Sequence, residues 1–74
     1  MTETIMNLRG LKCPLPALRV RKKLSGLKSG DLIVAECTDP LAAIDIPNLL
    51  RQTGDTLEGK NEAEGVTSFK IRKK

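Results

Sequence analysis

Histidine, tryptophan and tyrosine are all absent from this 74-residue chain. Without an imidazole, neither a Ser-His nor a Cys-His nucleophile can be assembled. Phe69 is the sole aromatic residue, so there is no platform on which nucleic-acid bases could stack. Cysteine is scarce: Cys13 and Cys37 are too few and too unpatterned for a disulfide scaffold or a zinc centre. Apolar runs last only a few residues, far short of a membrane span. No signal-peptide pattern follows Met1, so the cytoplasm is the expected location. No phosphate-cradling glycine loop, metal-ligand spacing or cofactor motif occurs, and neither a metal nor a cofactor is expected.

What remains is 39% hydrophobic and 30% charged, the balance of a soluble globular chain. Its length predicts a single domain, 1–74, with a thin core. The 13 Lys and Arg against 9 Asp and Glu leave a net charge of +4. Lacking stacking aromatics, the chain is a poor candidate for direct nucleic-acid binding. An acidic protein partner would use the same charge.

Residues 3–8 (ETIMNL) read as a first strand, broken by Gly10. A helix is predicted from Pro14 to about Ser25, with Ala17, Val20, Leu24 and Leu27 forming one buried stripe at spacings of three and four. After a turn at 28–31, "LIVAEC" (32–37) is β-rich and nearly all apolar, the pattern of a central strand. "TDP" at 38–40 signals a helix start, with Thr38 or Asp39 as cap. A proline inside a helix removes a hydrogen bond and clashes one turn back. Pro47 therefore predicts a first turn at 40–43 and a restart capped by Asp45, with the helix ending at Gly54. Residues 56–62 and 66–73 read as two strands joined at "AEG", the second with the alternation of a half-buried edge. The order β-α-β-α-β-β predicts an α/β fold: a two-layer sandwich with a four-stranded mixed sheet and both helices on one face.

Within that frame the stretch "KCPLPALRVRKKL" (12–24) concentrates the chemistry. With Cys13 as the N-cap, Pro14 and Pro16 fall in the first helical turn, where a missing amide hydrogen is harmless. The sulfur then sits at the positive end of a helix, near the amides of Leu15 and Ala17 and the charges of Arg9 and Lys12, which favours a thiolate. An inert, buried cap is the competing reading of Cys13. Cys37, ending an apolar strand, reads as core. A Cys13–Cys37 disulfide stays open, but the pair lacks the close spacing of a redox motif. Asp39 and Asp45 read as helix caps, with a supporting role for Asp39 near the sulfur left open.

These elements resemble the TusA/SirA sulfur-carrier family along nearly the whole chain. The Cys-Pro-x-Pro signature is Cys13-Pro14-Leu15-Pro16, preceded by Gly10. Asp39-Pro40, Asp45-Ile46-Pro47 and the terminal "FKIRKK" follow in order. The resemblance implies that Cys13 accepts sulfur as a persulfide from a donor such as a cysteine desulfurase. It would then pass the sulfur to an acceptor protein in tRNA thiolation, molybdenum-cofactor biosynthesis or another sulfur-trafficking pathway. Such a chain is a sulfurtransferase only as a protein relay. Leu15 departs from the pattern, standing where the tRNA-thiolation member has an acidic residue. Leu15 is therefore expected to be an exposed docking contact, joined by Arg19, Lys22 and Lys23 on the outward face of the first helix. The alternative is a non-enzymatic protein- or nucleic-acid-binding module of the same fold with a structural Cys13.

Overall fold

The computed structural model describes residues 3–74; Met1 and Thr2, the first residues of the expected 1–74 domain, lie outside them. The elements run β1 (Glu3–Leu8), α1 (Leu15–Ser25), β2 (Leu32–Cys37), α2 (Ala42–Thr53), β3 (Thr56–Ala63) and β4 (Val66–Arg72). The strands form one mixed sheet in the order β1-β2-β4-β3. β1 lies parallel to β2, and β4 runs antiparallel to both β2 and β3. A parallel pair cannot be closed by a tight hairpin, and α1 supplies the crossover.

Alternation along the strands sends Leu8, Ile33, Ala35, Cys37, Phe69 and Ile71 to one face of the sheet. Val20 and Leu24 of α1 and Ala42, Ile46, Leu49 and Leu50 of α2 join the same cluster. Both helices therefore cover one face, in a two-layer α/β arrangement. The opposite face carries Ile5, 64% exposed, with Asn7 and Lys70.

Two expectations need correction. β4 is not an edge strand: it lies between β2 and β3, and Phe69 and Ile71 are fully buried. The edge on that side of the sheet is β3, which pairs with β4 alone and carries a register shift between Leu57 and Gly59. Nor does the second helix restart at Asp45. α2 is continuous with Pro47 inside it, because Ala42, Ile46, Leu49 and Leu50 keep one buried stripe in phase across the proline. Burial of that stripe outweighs one lost backbone hydrogen bond.

The helix ends as expected at Gly54 (φ 83°), whose amide donates to the Leu50 carbonyl at 2.8 Å. Glu64 (φ 53°) and Gly65 (φ 78°) form the two-residue turn between β3 and β4, the left-handed pair that matches strand twist in a tight hairpin.

Phe69 is the largest fully buried side chain. Phe69→Ala should destabilise the fold by about 3–5 kcal/mol. A chain of this length holds roughly 4–11 kcal/mol in total. Urea denaturation should show a large fall in the unfolding midpoint of the variant, whereas Ile5→Thr on the open face should stay within about 0.5 kcal/mol of the parent.

Candidate functional site

Because β1 and β2 are parallel and end together at the Leu8–Cys37 pair, the loops that follow them emerge side by side. Two hydrogen bonds tie these loops. The Gly10 amide donates to Thr38 Oγ1 at 2.9 Å, and the Cys13 amide donates to Asp39 Oδ2 at 2.5 Å. Gly10 has φ +84° with open space where a Cβ would sit, so its glycine answers to backbone conformation rather than to crowding. The other oxygen of Asp39 accepts the Leu41 amide at 2.9 Å, and its carbonyl accepts the Ala42 amide at 3.0 Å. Asp39 thus organises the turn that leads into α2, whose cap position is Leu41 with no side-chain cap bond, and it also holds the cysteine loop.

Cys13 is not the helix cap. Pro14 occupies that position and Pro16 is the second helical residue. The Leu15 amide, expected to face the sulfur, instead donates to the Lys12 carbonyl at 2.8 Å. This turn, together with the Asp39 tie, delays the helix by one residue. Cys13 lies just outside it, half-buried, and its S–H donates to Asp45 Oδ2. Asp45 is no cap either: it sits inside the first turn of α2, with its carboxylate on the sulfur.

The electrostatics reverse the expected direction. The Cys13 thiol is raised above its ordinary pKa of 9.0, first by the hydrogen bond to Asp45, then by partial burial, then by the charges of Asp45 and Asp39. A helix N-terminus carries about half a positive charge. Two nearby carboxylates outweigh it. Asp39 itself is held low by the amides of Cys13 and Leu41 and by the charge of Lys12. Cys37 is fully buried, and burial followed by the charge of Asp39 pushes its thiol up to about 11. Both cysteines are free thiols, which removes the Cys13–Cys37 disulfide left open by the sequence.

Two clefts meet at Cys13. One, ≈ 540 Å³, runs between the loops along Leu11, Lys12, Pro40 and Leu41. The other, ≈ 280 Å³, lies between α1 and α2, with Leu18, Arg21, Asp45, Asn48 and Gln52 on its walls. Leu15 is 46% exposed, as expected, but it is not alone: Leu18, Leu41 and Ile44 are exposed too. Sequence reasoning missed Leu18 and Arg21, although both fall off the Val20–Leu24 stripe of α1. Arg19, Lys22 and Lys23 line a separate groove with Met6 and Leu27. At 1.5 Å per residue, Lys22 and Lys23 lie roughly 10–12 Å along the helix from Leu15. The cations on the clefts that contain the sulfur are Lys12 and Arg21.

Among the described residues no helix is long and apolar enough to cross a membrane. The family described as Sulfurtransferase TusA matches residues 4–73. A Neisseria meningitidis chain whose name carries the words sulfur carrier protein is 36% identical over 74 residues, all of both chains. Sulfur carrier protein TusA of Allochromatium vinosum is 37% identical over 68 residues, covering 92% of this chain and 90% of that one. The crystal structure of a SirA-like protein from Desulfitobacterium hafniense superposes with a TM-score of 0.83 at 21% identity, over 93% of this chain and 95% of that one. It shares the fold.

In the folded protein iodoacetamide should label Cys13 and spare Cys37. The pH midpoint of labelling should lie above that of a free cysteine thiol, since the hydrogen bond to Asp45, partial burial and the charges of Asp45 and Asp39 raise Cys13. Mass analysis across a pH series checks both; a midpoint near 7 would contradict the arrangement of the carboxylates.

Proposed function

The chain belongs to the TusA family of sulfurtransferases, and we propose that it carries sulfur as a persulfide on Cys13 and relays it to an acceptor protein. The observation that supports this reading is the half-buried Cys13 thiol at the junction of two clefts, hydrogen-bonded to Asp45, with an exposed leucine, Leu41 or Leu18, on each cleft. In the loading step Sγ of Cys13 bonds to the outer sulfur of a donor persulfide. The donor's S–S bond breaks, and its cysteine leaves as a thiolate with the bonding pair. The proton given up by Cys13 restores the donor thiol. Sulfur changes partners and nothing is oxidised overall. Unloading repeats the exchange on an acceptor thiol or another nucleophile.

The donor is a cysteine desulfurase or another persulfide-bearing protein, and the relay works in the cytoplasm. tRNA thiolation, molybdenum-cofactor assembly and other sulfur trafficking all use this chemistry. Leu15, in place of an acidic residue, bears on which acceptor docks. Exposed Leu18 and Leu41 on the clefts that hold Cys13, with exposed Leu15 two residues from it in the chain, supply apolar contact of the kind that anchors protein interfaces, with Arg19, Lys22 and Lys23 steering an acidic partner from farther along α1. The reading of Cys13 as a purely structural residue draws on the same Asp39 and Asp45 hydrogen bonds.

Incubation with a cysteine desulfurase and cysteine separates the two. Intact mass should rise by one sulfur atom, reversibly on reduction. The gain should vanish in Cys13→Ser and persist in Cys37→Ser. A folded, alkylatable protein that gains no sulfur from a panel of persulfide donors would end the carrier reading. Leu15→Glu should change the relative rates of transfer to different acceptors without abolishing loading; unchanged acceptor preference would remove Leu15 from the docking surface.

A further inference from the structure

Resting on the persulfide reading of Cys13, the geometry points to Asp45 as a positioning residue that keeps the thiol protonated in the free carrier and releases it when a cationic group arrives with the sulfur donor through the α1–α2 cleft. Asp45 is not needed as a helix cap, because Asp39 already accepts the Leu41 amide and supplies the carbonyl for Ala42. Its carboxylate instead accepts the S–H of Cys13. Cys13 and Asp45 line the same cleft and their side chains are in contact, so a group that reaches the first reaches the second.

The charges around the sulfur come from every neighbouring element. Asp45 belongs to α2, Asp39 to the loop after β2, Lys12 to the loop after β1, and Arg21 to α1. Lys12 acts on Asp39, and Arg21 lines the α1–α2 cleft. The ion pairs among the described residues engage Glu36, Glu58 and Asp55. Asp45 takes part in none of them, although the chain carries 13 cationic side chains. An ionised Cys13 beside an unpaired Asp45 sets two anions in contact. A cation on the incoming partner removes that repulsion and frees Sγ to attack.

Small disulfides of different charge test this directly and need no desulfurase. Cys13 Sγ bonds to one sulfur of the probe, the probe's S–S bond breaks, and the other half leaves as a thiolate that solvent protonates. The probes are cystamine (cationic), 2-hydroxyethyl disulfide (neutral) and 3,3′-dithiodipropionate (anionic). Each rate is divided by that of N-acetylcysteine amide with the same probe. Cystamine should react about fivefold faster than the neutral disulfide after this correction, the size of one close, half-exposed charge pair. The preference should shrink as salt is raised. In Asp45→Asn it should fall to within about twofold, and the pH midpoint of exchange should drop; Asp45→Glu should restore both.

A preference for the anionic probe in the parent protein would overturn the proposal by showing that the basic surroundings govern. An unchanged midpoint and preference in Asp45→Asn would overturn it as well. Circular dichroism and urea denaturation establish that the variants are folded, with Asp45→Ser as the second substitution. The salt series on the parent protein needs no variant. Sulfur loading without a charge preference would remove the role of Asp45 and leave the carrier standing. A charge preference without loading would do the reverse.

Discussion

Parallel pairing of β1 with β2 is the constraint from which the site follows. Two strands that run the same way end at the same edge of the sheet, and here they end together at Leu8 and Cys37. Both following loops, and the starts of both helices, are thereby brought into one place. Crevices outside the carboxyl ends of parallel strands are a common position for sites in α/β proteins. Were the two strands antiparallel, Cys13 and Asp39 would leave the sheet at opposite edges. The bonds from Gly10 to Thr38 and from Cys13 to Asp39 then fix what the pairing has brought close. α2 closes the arrangement by placing Asp45 in its first turn, within reach of the sulfur.

Local and long-range electrostatics compete at Cys13, and the long-range contribution wins. Along the chain the cysteine has a helix start on one side and Arg9 and Lys12 on the other, all of which favour a thiolate. Across the fold it meets Asp45 and Asp39, which favour the thiol. The dipole loses because Cys13 stands one residue outside the cap and the Leu15 amide is already taken by the Lys12 carbonyl. A protonated sulfur hydrogen-bonded to a carboxylate is a quiet one, because only the thiolate is a competent nucleophile. Its half-buried setting further limits access. The free protein thus holds the Cys13 thiol in place and chemically at rest.

The strands, the end of α2 and the turn between β3 and β4 were legible because each depends on residues close together in sequence. Gly54 marks a helix end wherever that helix packs, and a left-handed Glu64–Gly65 pair makes the same turn in any sheet. Pro47 misled for the opposite reason. The rule against a proline within a helix is local, whereas Ile46, Leu49 and Leu50 are buried by the whole fold. β4 misled because one-sided alternation looks the same on an edge strand and on an interior strand whose sheet is covered on one face only. In the site, Cys13 could be singled out from its flanking prolines. The sulfur contact of Asp45 could not, since 32 residues separate it from Cys13 and only the β1–β2 pairing joins them. Asp45 looked like a cap because an aspartate two residues before a proline has that pattern wherever a helix begins.

In a relay the same sulfur must attack once and leave once, and a raised pKa acts on both events. During loading it reduces the fraction of thiolate available to attack a donor persulfide. During unloading Cys13 is the leaving group, and thiols of higher pKa leave more slowly. In the proposed relay the carboxylates therefore slow sulfur transfer in both directions as long as they remain unneutralised. They act less strongly on the carried sulfur, which lies about 2 Å beyond Sγ, because Coulomb interaction weakens with distance. A partner that supplies a cation to the α1–α2 cleft relieves both steps with one contact. In the proposed cycle exchange is then fast inside a docked complex and slow outside it. In that cycle the carrier neither picks up sulfur from stray persulfides nor surrenders it to stray thiols, and selectivity comes from who can dock rather than from intrinsic thiol reactivity.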